Sequence, residues 1–217
     1  MRFTNRLAIT VLCAAAALQA GQNDWLIVPG VRIGPITRNT THGDLDQIFG
    51  KANVVDEPVD TGEGPVPATV INKAKPDTSL VILWTGDHIR DVMICFPDTT
   101  KGCKWHTAEG VTIGTGVEQL QSLNARPFVM EPWGSDLGGG VASWKGGKLS
   151  FTFGEGLSRI IFMSLEYPES PEGPTSEQQK WVNNVSGPNV RTISSNDEAV
   201  RHLHPVVERL SFEFHRE

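Results

Sequence analysis

A chain of 217 residues with 22 Gly, 14 Pro and only 20% charged side chains suits a turn-rich, sheet-containing fold better than a helical bundle. Its 19 basic residues against 25 acids leave a net charge of −6, which excludes nucleic acid and anionic lipid as general partners, since both need clustered cations to displace counterions. A cationic protein partner fits that field.

In chain order, the first segment reads as an export signal. Arg2 and Arg6 form a positive start, Leu7 to Leu18 is an apolar run, and Ala20 offers a small residue for cleavage. The mature chain is expected to begin near Gly21. The run is too short for a membrane anchor and is followed by the polar Gln22, Asn23 and Asp24. Leu12 before Cys13 does not suit lipoprotein processing. Residues 1 to 20 hold two basic residues and no acid, so the mature domain of 197 residues carries 17 bases against 25 acids, a net −8. No later stretch is long and apolar enough to span a membrane. The expected location is the periplasm or the exterior.

Gly30-Val31-Arg32-Ile33-Gly34 recurs as Gly110-Val111-Thr112-Ile113-Gly114, and each copy leads into a short helical pattern. The first helix has Thr40 or Thr41 as cap and Leu45, Ile48 and Phe49 as its apolar stripe before Gly50; the second has Thr115 as cap, with Val117, Leu120 and Leu123 facing inward. Each helix is too short to stand alone and must lie against a sheet. Residues 56 to 78 read as a long exposed loop, being rich in Pro, Gly and acids. Ser79 to Trp84 then turns at Thr85-Gly86-Asp87 and returns through Ile89 to Phe96, a hairpin with Trp at its end. Val141 to Lys145 is expected to do the same, turning at Gly146-Gly147 and returning through Leu149, Phe151 and Phe153. A strand through Ile160, Phe162, Ser164 and Glu166, a turn capped by Ser176 and Gln179, a helix capped by Ser195 and Glu198, and a last strand through Leu210, Phe212 and Phe214 complete the chain.

The expected fold is therefore α+β: tandem helix-then-antiparallel-hairpin units, about 30–104 and 110–166, sharing one core in a single domain of residues 21–217 with a C-terminal extension from about 167. Cys95 and Cys103 are the two cysteines left after cleavage, and an oxidising compartment makes a disulfide between them the default.

The segments Gly30 to Gly50 and Gly110 to Leu123 resemble the repeating module of small exported proteins of the SmpA/OmlA and β-lactamase-inhibitor type. That resemblance implies a helical segment packed on a curved antiparallel sheet and a concave protein-binding face. The chain departs from it in lacking the lipoprotein cysteine and in its Gly34-Pro35 opening. The half from Trp105 to Phe214 also resembles uncharacterised exported bacterial proteins, which implies no activity. No functional residue carries over from either.

No reaction is specified by motif. His202 and His204 lie two apart without a third ligand, and two ligands do not make a zinc site; His42, His88, His106 and His215 are isolated. The mature chain has no G-x-S-x-G, H-E-x-x-H or S-x-x-K. The acid pairs Asp44 with Asp46 and Glu131 with Asp136 read as turn and helix acids rather than a glycosidase pair. Gly138-Gly139-Gly140 and Gly114-x-Gly116 lack the Lys and spacing of a phosphate loop. No catalytic, metal or cofactor residue is therefore assigned. The aromatics are more informative: Trp84, Trp133 and Trp144, with Trp105, sit near turns, where the ring meets the core and the indole N–H is left for a partner. Trp84, Trp133 and Trp144 are the candidate binding residues. The expected function is a non-enzymatic interaction module, with protein as partner and glycan second; the competing readings are a hydrolase of wall or glycan substrates and a structural envelope protein.

Overall fold

The computed structural model describes residues 24–62, 64–97, 102–135, 138–154, 161–164, 175–187 and 189–214, the stretch 161–164 as backbone only. The expected signal segment, Asp136, Glu166, the Pro168 to Pro174 break and His215 lie outside them.

The chain opens with three short strands, β1 (Leu26–Val28), β2 (Arg32–Ile33) and β3 (Ile36–Thr37). Gly34 lies in the left-handed region at φ 52°, and a β-carbon there would come within 2.8 Å of the Trp105 ring, so only glycine fits beneath that indole. Helix α1 (His42–Leu45) is capped by Thr41, whose hydroxyl and the Asp44 carboxylate form a reciprocal capping box. It runs on as a wide turn over Asp46–Gly50. Four longer strands succeed it: β4 (Val54–Asp60), β5 (Pro65–Ile71), β6 (Leu80–Thr85) and β7 (His88–Ile94).

Residues 56 to 78, expected as a loop, thus hold most of a paired hairpin. Its turn is closed by the Asp60 carboxylate, which accepts from the N–H groups of Gly62 and Gly64 at 2.9 and 3.3 Å. Pro58 faces Pro67 across the ladder. Two residues without N–H groups can oppose each other only at a pair that exchanges no hydrogen bonds, so both missing donors point outward. On β4 that direction is the open edge of the sheet, which Pro58 blunts against further strand pairing.

The remainder is assembled mostly from short pieces, β8 (His106–Thr107), α2 (Val117–Asn124), β9 (Val129–Met130), β10 (Val141–Ser143), α3 (Leu149–Phe153), β11 (Ile161–Ser164), α4 (Ser176–Val185), β12 (Ile193–Ser194) and α5 (Glu198–Leu203), and ends in the longer strand β13 (Val206–Glu213). Three sheets result, in the orders β3-β2-β1-β8, β10-β9-β12 and β11-β13-β7-β6-β5-β4. Among these strands only β1 and β8 pair in parallel. The fold is mixed α+β with few, short helices. One buried cluster joins all three sheets, with Ile27 and Ile33 from the first, Met130 and Ile193 from the second, and Ile82, Val92 and Phe212 from the third. Ala68, Val70, Val81, Leu83 and Met93 form a smaller cluster on the six-stranded sheet. Among the described residues no helix is long and apolar enough to cross a membrane.

Several expected caps shift by a residue or two. Gly116, not Thr115, caps α2. Thr175 with Gln178, not Ser176 with Gln179, forms the box on α4, and Asp197 caps α5. Ser195 is instead buried, its hydroxyl accepting from the Phe128 N–H at 2.9 Å and donating to Gln121 at 2.8 Å. The sequence echo does persist in the approach to the helices: Thr40 and Thr115 each stand two residues before a helix, and each accepts the N–H three residues back, at 2.9 and 3.0 Å.

Beyond that the copies part. Lys145 and Gly146 take the left-handed conformations of a hairpin turn, and the Gly147 N–H reaches the Trp144 carbonyl at 3.0 Å. After this turn the chain does not return as a strand but winds into α3. The buried Asn124 decides this. Its backbone carbonyl takes the Lys148 N–H at 2.9 Å, and its side-chain oxygen takes the Leu149 N–H at 3.1 Å. Winding then places Leu149 and Phe153, four apart, in the core and leaves Phe151 91% exposed.

Cys95 and Cys103 are bonded, with S–S 2.11 Å and Cα–Cα 6.0 Å.

Candidate functional site

The six-stranded sheet carries, near its β4 edge, an open cleft of about 640 Å³, within the range of small-ligand sites. β4 contributes Asp56 and Pro58, β5 contributes Pro67 and Thr69, β6 contributes Trp84, β7 contributes Arg90, and α1 brings His42 across the mouth. Arg90 owes its position to a register shift: Leu83 pairs with Asp91 and Trp84 with Ile89, so Arg90 is the unpaired residue between them. A bulge of this kind re-aims one side chain out of the regular alternation.

A chain of hydrogen bonds crosses the floor. The Trp84 indole N–H donates to the Thr69 hydroxyl at 2.9 Å, Thr69 donates to the Asp56 carboxylate at 2.7 Å, and His42 Nε2 meets both carboxylate oxygens at 2.8 and 2.9 Å. The bond from His42, and then that from Thr69, holds the Asp56 carboxyl below the usual carboxylate range. An ionised carboxylate only accepts, so the His42 Nε2–H is the donor to Asp56. The imidazole lies 5.9 Å from the Trp84 ring, tilted 41°. Of the other charges, Glu57 pairs with Lys73 at 2.6 Å. Arg90, which also lines the cleft, is a cation with no ion-pair partner among the described residues.

Chemically the cleft offers a fixed aromatic wall, an imidazole–carboxylate pair and a guanidinium. The imidazole and carboxylate are two members of a hydrolytic triad, but the hydroxyl that lines the cleft with them, Thr69, donates to the carboxylate and not to the imidazole. The three side chains therefore do not stand in the order nucleophile, base, acid.

The three expected binding tryptophans are placed differently. Trp84 is half-buried and lines the cleft. Trp144 is 3% exposed and packs between Phe128 and Phe153 at 5.1 and 5.5 Å, so it is a core residue and no part of a surface. Trp133 is half-buried on the strand-like bridge to Ser186 and does not line the Trp84 cleft. Trp105 is fully buried; its indole nitrogen has no hydrogen-bond partner among the described residues. The histidine pair is split: His202 stacks on Trp181 at 4.2 Å, whereas His204 Nδ1 bonds Glu118 at 2.8 Å. Asp44 is spent in its cap. Among the described residues no three potential ligands gather around a common point. Asp56 and Thr69 escaped sequence reasoning because residues 56 to 78 read as loop, although the alternation of Val66, Ala68 and Val70 against Pro67 and Thr69 was an available signal. His42 read as isolated because its partner Asp56 is 14 residues away, and Arg90 lay on the expected hairpin with nothing local to mark its bulge.

No family model matches the chain, and no curated protein or solved structure matches it either.

Proposed function

We propose that the chain is an exported, non-enzymatic protein-binding module that receives a segment of its partner in the Trp84 cleft. The observation that carries this is the half-buried indole, fixed by Thr69 and flanked by a bulged, unpaired Arg90. A rigid aromatic wall beside a cation suits a partner side chain that is large and apolar, next to a carboxylate. The blunted β4 edge argues for recognition through side chains in the cleft rather than by strand addition. The disulfide is in keeping with an oxidising compartment, and the matching approaches to α1 and α2 support the duplicated unit, two copies over about 30–104 and 110–166. Against the hydrolase reading stands the wrong order of Thr69, Asp56 and His42.

The test is a photo-reactive amino acid placed at Pro58, an exposed residue of the cleft, with Lys145 as a remote control, and irradiation in an envelope extract. One adduct of defined mass from position 58 and none from position 145 is expected. Equal labelling from both, or none from position 58, would overturn the reading.

A further inference from the structure

A second cleft, of about 540 Å³, lies apart from the first. The wide turn after α1 contributes Phe49, the segment before β1 contributes Trp25, and the connection between β5 and β6 contributes Asn72, Lys75 and Asp77, with Asn53 between the two. The rim is held from several sides. The Asn72 N–H donates to the Asn53 carbonyl at 2.9 Å, the Lys75 N–H to the Asn72 carbonyl at 2.7 Å, and the Lys104 N–H to the Asp77 carbonyl at 2.8 Å. Lys104 also pairs with the Asp77 carboxylate at 2.8 Å, and the disulfide fastens the chain beside it, with the Cys95 sulfur 3.5 Å from the Asp77 carbonyl. The Lys104 bond holds the Asp77 carboxyl below its ordinary range.

This cleft offers different chemistry from the first. Trp25 is half-buried, packed edge-on against Trp105 at 4.9 Å. The amides of Asn53 and Asn72 use their N–H groups on Phe49 and Thr78 carbonyls, at 2.8 and 3.5 Å, which turns their oxygens to acceptor duty. Asn72 stands at φ 53°, the left-handed turn conformation that asparagine tolerates better than most non-glycine residues. Two cations, Lys75 and Lys104, face one carboxylate. This local excess of positive charge stands out on a chain of net charge −6.

We propose that this cleft binds a saccharide bearing a carboxylate. A sugar ring presents weakly positive C–H bonds on its faces, which suit the negative face of an indole. Its hydroxyls around the rim suit fixed amide oxygens and a carboxylate as acceptors, with ammonium groups as donors. Lys104 is engaged by Asp77, so Lys75 is the cation that meets the sugar's acid group. This site is independent of the Trp84 cleft, and either can fail without the other.

The experiment titrates the full mature protein with a uronic-acid tetrasaccharide and with a neutral glucose tetrasaccharide, monitored by tryptophan fluorescence and amide chemical shifts. The acidic sugar binds, more tightly than the neutral one and less tightly as salt rises. Trp25→Ala and Lys75→Ala each weaken it about tenfold, the scale of one lost aromatic or charged contact. Because Trp25 also packs on Trp105, Asn72→Gly serves as the variant that keeps the fold, glycine being at ease at positive φ; it too weakens the acidic sugar, while Trp84→Ala leaves its affinity unchanged. Absence of binding at about 10 mM sugar, where only contacts weaker than millimolar affinity would escape, equal affinity for both sugars, or unchanged affinity in Asn72→Gly and Lys75→Ala would overturn the assignment.

Discussion

The turns after Trp84 and after Trp144 begin alike and end in opposite roles. Each has Trp followed within two residues by Gly at positive φ. After Trp84 the chain returns as β7, the ladder closes at Thr85 and His88, and one inserted residue sends Arg90 into a cleft beside the indole. After Trp144 the chain meets Asn124 and winds into a helix that seals the indole beneath Phe153. A turn sequence sets a reversal of direction. The fate of the second arm depends on which buried polar group waits to receive its N–H groups.

The contrast is broken most strongly by Trp144→Ala. Its ring sits in a file of aromatics running Phe128, Trp144, Phe153, Phe212 at 5.1, 5.5 and 6.5 Å, and truncation should destabilise by about 3 to 5 kcal/mol, read as a shifted urea midpoint at constant slope. Asn124→Ala comes next. It removes the acceptor of the buried Leu149 N–H and the side-chain donor to the Trp144 and Arg126 carbonyls, and leaving the Leu149 N–H unsatisfied in the core should cost about 2 to 3 kcal/mol. If the Asn124 variant kept full stability, the account of why α3 is a helix would fail. Gly147→Ala probes the same contact from the other side: a β-carbon there would lie 2.1 Å from the Asn124 Oδ1 atom, so the helix start must shift, at about 1 to 3 kcal/mol.

On the Trp84 side the expected effects are smaller. Thr69→Val removes both the acceptor of the indole N–H and a donor to Asp56, at about 1 kcal/mol by urea unfolding. The smallest effect is that of pH. Asp56 has its folded pKa below the unfolded value near 4, so its contribution to stability is present above about pH 4 and is lost as pH falls through the folded pKa. Asp56→Asn should therefore flatten part of the acid limb of the stability profile, with little change in slope at neutral pH. An acid limb identical to that of the unaltered chain would show that the hydrogen bonds from His42 and Thr69 contribute nothing.

The same contrast shows where sequence sufficed. The β6–β7 hairpin was legible because Leu80, Ile82, Val92 and Ile94 alternate without competition. Leu149, Phe151 and Phe153 alternate as well, but Leu149 and Phe153 also satisfy the four-residue spacing of a helix; only Asn124, 25 positions away from Leu149, separates the two. The cleft stayed hidden for another reason. The composition of residues 56 to 78 points to loop, and the pairing of Pro58 with Pro67 is visible only once the register is known. For α3 the deciding partner is remote, whereas for the cleft the alternation of Val66, Ala68 and Val70 was a local signal that composition outweighed.

The central claim is that Trp84 serves a binding cleft while Trp144 serves the core. Its most direct test is Trp84→Ala introduced into the chain carrying the photo-reactive group at position 58, with cross-linking yield and urea unfolding measured on the same preparation. The yield should fall about tenfold, as for loss of an interface anchor, while stability drops by less than about 2 kcal/mol, below the range of a fully buried aromatic. Undiminished cross-linking, or a stability loss equal to that of Trp144→Ala, would contradict the division between the two tryptophans.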